Sequence, residues 1–348
     1  MRVRALVLAA GLGTRLRPLT AGIPKPLLPV RGEPILFHTL RRLAAAGCEA
    51  AAINLHHGAE QVPRLLGKEL AGLPLTYSEE PLLLGTLGAF APLRDFFAAA
   101  DLALLVNGDS LCRWPLVPLV RHHRERGALA TLLLAARADP AQFGGGVTVG
   151  RGGALLALRP TGGAVAAAPG ALGAAPAGTA EPAATAAPRR RVFAGAHVLS
   201  RRLLQRIAAG GSLRVPADIV LDLYEPLLTA QPGCLATLTT ARHWHDLGTP
   251  RRYLTAVLDW AQAGGHGRWI SPAAEVSPLA AVRRASVEAG SRIADGAVVE
   301  GSVLLPGARV GAGCEVRDSI LGPGAELPAG SHVAGQLVVA GGARSDVR

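Results

Sequence analysis

Two loops and two turns in this chain hold residues that could do chemistry. The stretch "LVLAAGLGTRLRPLT" sets an apolar run, residues 6–8, ahead of Gly11 and Gly13, with Arg15 and Arg17 close behind. Lys25 follows, held between Pro24 and Pro26. A Gly-x-Gly after a strand lets backbone N–H groups approach an anion closely. The third glycine of a dinucleotide fingerprint is missing, and no G-K-[ST] closes the loop as in a P-loop. With Arg15 and Lys25 added, the loop reads as a polyanion site with charge enough for a triphosphate. Only Lys25 and Lys68 are lysines among 36 basic residues, so a Lys between prolines points to a use for a compact ammonium. Asp109 in "VNGDS" and Asp246 in "HDLGTP" each sit at a turn, and turn chemistry alone accounts for either one.

The elements that position these residues alternate through about residue 260. "RALVLAA", "AAINL", "LPLTYS", "DLALLVNGDS" and "ALATLLLAA" read as strands. "ILFHTLRRLAAAG", "AEQVPRLLG", "GTLGAFAPLRDFF" and "PLVPLVRHHRERG" read as helices. "PRRYLTAVLDWAQAG" is a helix starting at Pro250, a favoured first position. Such alternation predicts a mostly parallel, Rossmann-like sheet with helices on both faces. Ligands of these sheets bind at the carboxyl ends of the strands. The loop at 11–15 and the turn at 107–109 both follow strands, so both are expected to border one crevice. Residues 161–191 are low in complexity and poor in large apolar side chains, which predicts a flexible insertion.

After Trp269 the pattern changes. Ile270, Val276 and Val282 are six apart, and the triplet recurs every 17 residues as Val287–Ile293–Val299, Leu304–Val310–Val316 and Leu321–Leu327–Val333. Val338 continues the series. A six-residue apolar step inside a fixed longer period is the signature of a parallel β-helix, here with one corner a residue short. The expected domains are 1–265 and 266–348.

Composition sets the outer bounds. With 348 residues, 49% of them hydrophobic and 4% aromatic, the chain can bury a large aliphatic core. The net charge of +11 invites a nucleic-acid partner, but the arginines are scattered and no basic stripe is interleaved with aromatics. No run of about 18 apolar residues predicts a membrane span. The basic N-terminus imitates a signal peptide, yet its apolar core is shorter than the usual ~7–15 residues, so a cytoplasmic location is expected. Cys48, Cys112, Cys234 and Cys314 lie far apart and form no C-x-x-C, which predicts idle thiols in a reducing compartment.

"LAAGLGTRLRPLT" followed by "PKPLLPV" resembles the signature of the sugar-1-phosphate nucleotidyltransferases, G-x-G-T-R-[LM]-x-P-x-T then P-K-P. "INLHH", "EEPLLLGTLGA", "VNGDS", "VFAGAHVLS" and "HDLGTPRRYL" match in order, so the resemblance spans residues 1–260. The tail is similar to the left-handed β-helix that several members carry, mannose-1-phosphate guanylyltransferases among them. The resemblance implies an enzyme that joins a nucleoside triphosphate to a sugar 1-phosphate and releases pyrophosphate, with GTP and mannose 1-phosphate first among the substrates. It implies Arg15 and Lys25 as catalytic cations and Asp109 and Asp246 as ligands of Mg²⁺. It carries nucleotide contacts to Leu8, Ala10, Gly11, Gly13, Thr14, Glu80 and Gly85, and sugar-phosphate contacts to Gly144, Arg159 and Gly195. A Glu80 carboxylate could accept from the N1–H and N2–H₂ of guanine, or from the single N3–H of uracil or thymine. Self-association through the β-helix is expected by the same likeness.

The chain also departs from the family pattern. Leu158 and Arg159 stand where many members have Glu-Lys before a proline, and Phe193-Ala194-Gly195 replaces N-A-G. Arg159 keeps a cation for a phosphate; the lost Glu removes an acceptor for sugar hydroxyls. The competing readings are a UTP- or dTTP-dependent enzyme for glucose, amino-sugar or N-acetylmuramate 1-phosphate, and a non-catalytic nucleotide-sugar-binding regulator. The four catalytic and metal residues argue against the regulator. A fused acyltransferase in the tail is disfavoured by its shortness and by His332 as its one histidine beyond His266. His56, His57, His243 and His245 are read as structural.

Overall fold

A computed structural model describes residues 1–144, 146–158, 188–210, 215–262 and 267–347. Arg159, most of the low-complexity stretch and, separately, the division between the expected domains lie outside the described residues.

The first strand, β1 (Val3–Leu8), is apolar almost throughout because helices cover both of its faces. After the glycine loop comes a small hairpin, β2 (Pro29–Val30) and β3 (Glu33–Pro34), and then α1 (Ile35–Ala45). Strand and helix alternate from there: β4 (Ala50–Leu55), α2 (Gln61–Leu66), β5 (Glu69–Leu70), β6 (Leu73–Glu79), α3 (Gly85–Gly88), α4 (Arg94–Ala98) and β7 (Leu102–Asn107). β4 and β7 flank β1 in parallel, and β6 lies parallel outside β4. The ends of β1 and β7 therefore open on the same side, with Leu8 level with Asn107.

The expected single helix "GTLGAFAPLRDFF" is two short ones, α3 and α4. Pro92 cannot continue a hydrogen-bonded helix, and the Leu87 N–H is drawn out to the Ala217 carbonyl at 3.0 Å.

The second half of the sheet is mixed. It contains β8 (Ser110–Cys112), α5 (Leu116–Arg126), β9 (Ala130–Ala135), β10 (Val147–Val149), β11 (Leu155–Ala157), β12 (Arg189–Ser200) and α6 (Arg201–Ala209). Then follow α7 (Glu225–Ala230), β13 (Leu235–Thr240), β14 (Trp244–Asp246) and α8 (Pro250–Gln262). The order is β11-β10-β12-β7-β1-β4-β6-β5, with β12 antiparallel to β7 and β9 bridging β12 and β13. Arg189, Arg190 and Arg191, expected at the end of the flexible insertion, belong to β12 and pair with Val149, Thr148 and Val147. Three arginines tolerate this because the strand start is at the rim, where their side chains stay in water.

Residues 267–347 form the β-helix that the 17-residue period predicts. Ile270, Val287, Leu304, Leu321 and Val338 stack in parallel register on one face. Val276, Ile293, Val310 and Leu327 stack on the second, and Val282, Val299, Val316 and Val333 on the third. The short corner is turned by residues 284, 301, 318 and 335, all in the left-handed region at φ 42, 59, 43 and 63. Arg284 and Asp318 pair at 2.9 Å across Gly301. A Cβ on Gly301 would lie 2.2 Å from Asp318 Oδ1, so only glycine fits beneath that bridge.

The first face has apolar side chains on both sides. Val303, Ile320 and Leu337 turn outward and share one core with Leu28, Val30, Ile35 and the α8 residues Tyr253, Leu254 and Val257. The β-helix is thus packed against α8 and the β2–β3 hairpin rather than merely tethered to the first half of the chain.

Candidate functional site

Each part of the opening loop has a local cause. Gly13 lies at φ 62 and caps a turn at Thr14–Leu16. Thr20, fully buried, donates from its hydroxyl to the Gly13 carbonyl at 2.8 Å, and its methyl lies where a Gly13 side chain would go. A Cβ on Gly11 would meet nothing within 4 Å, so its surface is open to a ligand. Behind the loop, Asn54 at the end of β4 accepts from the Ala9 N–H at 2.8 Å.

Lys25 opens a second short turn, Lys25–Leu27, and is only 6% exposed. Pro24 fixes it from one side by packing where a Gly58 side chain would be, 2.8 Å from that Cβ position. Its ammonium donates to Asp109 Oδ2 at 2.6 Å. Gly108 lets Asp109 come this near: a Cβ there would lie 2.9 Å from Val7 Cγ1.

Asp246 is brought in by a separate two-stranded pairing. β14 runs antiparallel to β8 with Asp246 opposite Ser110, next to Asp109. Arg252, in the first turns of α8, pairs with Asp246 Oδ2 at 2.5 Å and donates to the Gln142 carbonyl at 2.9 Å. Its guanidinium lies 4.5 Å from the centre of the Phe143 ring. Arg15 reaches the same spot, because a Cβ on Gly248 would be 3.2 Å from Arg15 Nη2 and 3.0 Å from Asp246 Oδ1.

Between these groups lies a groove of about 270 Å³ walled by Leu8, Gly11, Gly13, Thr14, Arg15, Lys25, Asp109 and Gly248. Arg15, Lys25 and Asp109 line it together, and Asp246 stands beside Gly248 at its edge. A larger cavity of about 770 Å³ lies between α4 and α6, and none of the expected site residues lines it.

The remaining candidates are not in the groove wall. Ala10 is buried behind the loop. Glu80 is 2% exposed, with Oε1 accepting from Asn54 Nδ2 at 2.8 Å and Oε2 from the Leu84 N–H at 3.0 Å. Both oxygens of this carboxylate are thus engaged internally, as burial of an acid requires. Gly85, at φ 82, is pressed against Ala217, whose carbonyl oxygen would be 2.3 Å from a Cβ. Gly195, at φ 71, sits at a bulge of β12 with Asn107 3.2 Å from its Cβ position. Gly144 ends the short turn that carries Gln142 and Phe143 to Arg252. Among the described residues, no group of three or more His, Cys, Asp and Glu could hold a metal by itself.

Residues 4–263 match the family model described as "Nucleotidyl transferase". The chain belongs to the nucleotidyl transferase family. The tail of this nucleotidyltransferase, residues 267–338, matches the model "GlmU-like, C-terminal hexapeptide". It is 31% identical to a mannose-1-phosphate guanylyltransferase of Mycobacterium tuberculosis over 87% of this chain and 80% of that one. It is 38% identical to the mannose-1-phosphate guanylyltransferase catalytic subunit beta of Drosophila melanogaster, over 40% of this chain and 39% of that one. The corresponding subunit of Xenopus tropicalis is 25% identical over 77% of this chain and 68% of that one. Nucleotidyltransferases of this family generally use a divalent metal. No helix among the described residues is long and apolar enough to cross a membrane.

Reading the sequence of this nucleotidyltransferase overlooks Arg252 and Asn54. "TPRRYL" has two arginines with nothing to distinguish them, and only the helix phase turns the second toward Asp246. Asn54 ends a buried strand, an unusual place for an amide, and that was the available signal. His56 Nδ1 donates to the Glu80 carbonyl at 2.7 Å, and burial holds the pKa of His245 below its usual value.

Proposed function

We propose that this chain transfers a guanylyl group from GTP to mannose 1-phosphate, forming GDP-mannose and pyrophosphate. The observation that carries the reading is the groove, where a glycine loop, two cations and two aspartates from opposite halves of the chain converge. The relatives favour GTP and mannose among the possible substrates.

The attacking atom is a phosphate oxygen that is already anionic, so no general base is required. The difficulty is the crowding of negative charge at the α-phosphorus. The open loop at Gly11–Thr14 offers backbone N–H groups to the triphosphate, and Arg15 and Lys25 offset the charge that builds up in the transition state. Lys25 is ready-placed by Pro24 and Asp109, so little reorganisation is needed at the moment of reaction.

The donor set fits Mg²⁺. Two carboxylates, Asp109 and Asp246, with no third acid among the described residues, suit an ion that takes one or two carboxylates plus phosphate oxygens and water. When bound, the metal would supply positive charge shared between the phosphates. Arg252 holds Asp246 in place and presents a guanidinium beside it. Asn54 and Glu80 brace the two nucleotide loops against each other, and the backbone of residues 81–85 is the surface offered to the base. Gly195, Gly144 and Arg159 belong to the sugar-phosphate side.

In this reading residues 1–265 are the catalytic domain and 266–348 a β-helix that also mediates self-association. Its two faces turned from the catalytic domain carry ladders such as Glu275–Arg292 and Glu300–Arg317, which would make that association sensitive to salt. The four cysteines are free and buried, as suits a reducing cytoplasm. A pyrophosphate-release screen of four nucleotides against a panel of sugar 1-phosphates, with Mg²⁺, tests the reading. GTP with mannose 1-phosphate is expected to give the highest kcat/KM. A preference for UTP or dTTP would overturn it.

A further inference from the structure

The segment that carries Lys25 continues directly into the β2–β3 hairpin. The hairpin turn, Arg31–Gly32, has both residues in the left-handed region, at φ 54 and 80. This is the primed type of turn, and it points successive amides toward one acceptor. That acceptor is Glu288, on the β-helix. The Gly32 N–H donates to Glu288 Oε2 at 2.8 Å, and the Arg31 amide also reaches the carboxylate. Ser286 Oγ donates to the other oxygen at 3.3 Å. Glu288 is 1% exposed. The Trp269 ring closes the turn from beside it, 3.0 Å from where a Gly32 side chain would start.

The rest of the hairpin is held as firmly. Tyr253 of α8, fully buried, donates its hydroxyl to the Pro29 carbonyl at 2.5 Å. The Ile35 N–H donates to the Leu28 carbonyl at 3.0 Å, and the Leu28 N–H to the Lys25 carbonyl at 3.1 Å. An unbroken run of hydrogen bonds and buried side chains thus joins the Lys25 backbone to the first coils of the β-helix.

We propose that Glu288 is a positioning residue for Lys25, acting through the Arg31–Gly32 turn. The proposal rests on the reading of Lys25 as a cation for the reacting phosphates. An apolar side chain would seal this junction at less cost than a buried carboxylate, because desolvating the charge opposes folding. A carboxylate differs from an apolar group in direction: it fixes the orientation of two adjacent amides, and so the path of the chain that leads back to Lys25. On this account the β-helix is part of the catalytic apparatus, and its loss would cost turnover even with every groove residue present.

The test uses the full chain with two substitutions. Glu288→Ala removes the acceptor; Glu288→Gln keeps one oxygen for the Gly32 N–H. With GTP, mannose 1-phosphate and Mg²⁺, Glu288→Ala is expected to lower kcat ~10- to 100-fold with a much smaller change in the KM for GTP, since a misplaced group weakens the transition state more than binding. Glu288→Gln should restore most of kcat. Hydrogen exchange, measured well below the melting temperature, should show lost protection at the amides of Leu27, Leu28 and Gly32 in the Ala variant. Wild-type kcat in Glu288→Ala, or lost protection confined to the β-helix, overturns the proposal. If the wild type itself releases no pyrophosphate from these substrates, the functional reading fails, and hydrogen exchange still decides whether Glu288 holds the Lys25 segment.

Discussion

At the strand-end groove, Lys25 meets Asp109 at 2.6 Å with the lysine side chain 7% exposed, while along the coils Arg309 meets Glu326 at 3.5 Å with both side chains more than half exposed. The residue types are alike; the surroundings are not. In the coils Glu275–Arg292, Glu300–Arg317 and Arg309–Glu326 each join neighbouring turns 17 residues apart on a wet face. The groove gathers its charges once, from positions far apart, and shields them: Lys25 is almost wholly out of water, and Arg252 and Asp246 are 29% and 22% exposed. An exposed ion pair contributes little, because water and salt screen it. A part-buried charge fixed by prolines, glycines and a strand register retains most of its field. Charge alone does not mark a site here; charge whose position is over-determined does.

Four measurements sharpen that contrast. The largest effect is expected inside the coil, where Val310 stacks between Ile293 and Leu327. Val310→Asp puts an unpaired charge where nothing can solvate it and should unfold the tail, a loss on the order of 3–5 kcal/mol, seen as early proteolysis of residues beyond 267. Next come Asp109→Asn and Asp246→Asn, each expected to cut pyrophosphate release ~10²–10³-fold with an unchanged melting temperature. Near wild-type turnover in either variant removes that residue from the site.

The third concerns pH. Glu288 is buried, and burial pushes its carboxyl from 4.5 up to about 7, against the opposing pull of the Gly32 and Arg31 amides and Ser286; Tyr253 is the titratable group that faces it. The fold therefore binds a proton that the unfolded chain has released. This contribution to stability is full below 4.5 and is lost as pH rises through about 7. Its size is about 3 kcal/mol. Urea midpoints at pH 5 and pH 8 should differ less in Glu288→Gln than in the wild type; equal differences would count against a perturbed Glu288. The smallest effect belongs to the ladder. Arg309→Asp, one residue from Val310 but facing water, should cost under ~1 kcal/mol, and less still in high salt.

Much of this was legible in the sequence because the governing patterns are local or strictly periodic. The 17-residue spacing named the inward-stacked aliphatic columns of the coils, since each must meet its equivalent one turn away, but not the outward column Val303, Ile320 and Leu337. The loop signature placed Gly11, Gly13, Arg15 and Lys25, which lie within one short stretch. Asp109 and Asp246 came from motif order, not from any local pattern, and the pairing of β14 with β8 is what joins them. The bonds of Glu80 to Asn54 and the Leu84 amide were not legible, because two adjacent glutamates at a loop look alike in sequence and only the backbone path turns one inward. Arg252 and Glu288 were out of reach, since each acts across a junction between elements distant in the chain.

The β8–β14 pairing also has a consequence in time. Asp109 and Asp246 are separated by 137 positions. At translation rates of ~5–20 residues per second, roughly 7–27 seconds pass between their synthesis. During that interval the nascent chain holds the glycine loop, Lys25 and Asp109 but only half of the proposed metal pair. On the proposed reading activity does not come piecemeal on the ribosome: the strand that carries Asp246 arrives just before the helix on which the β-helix docks.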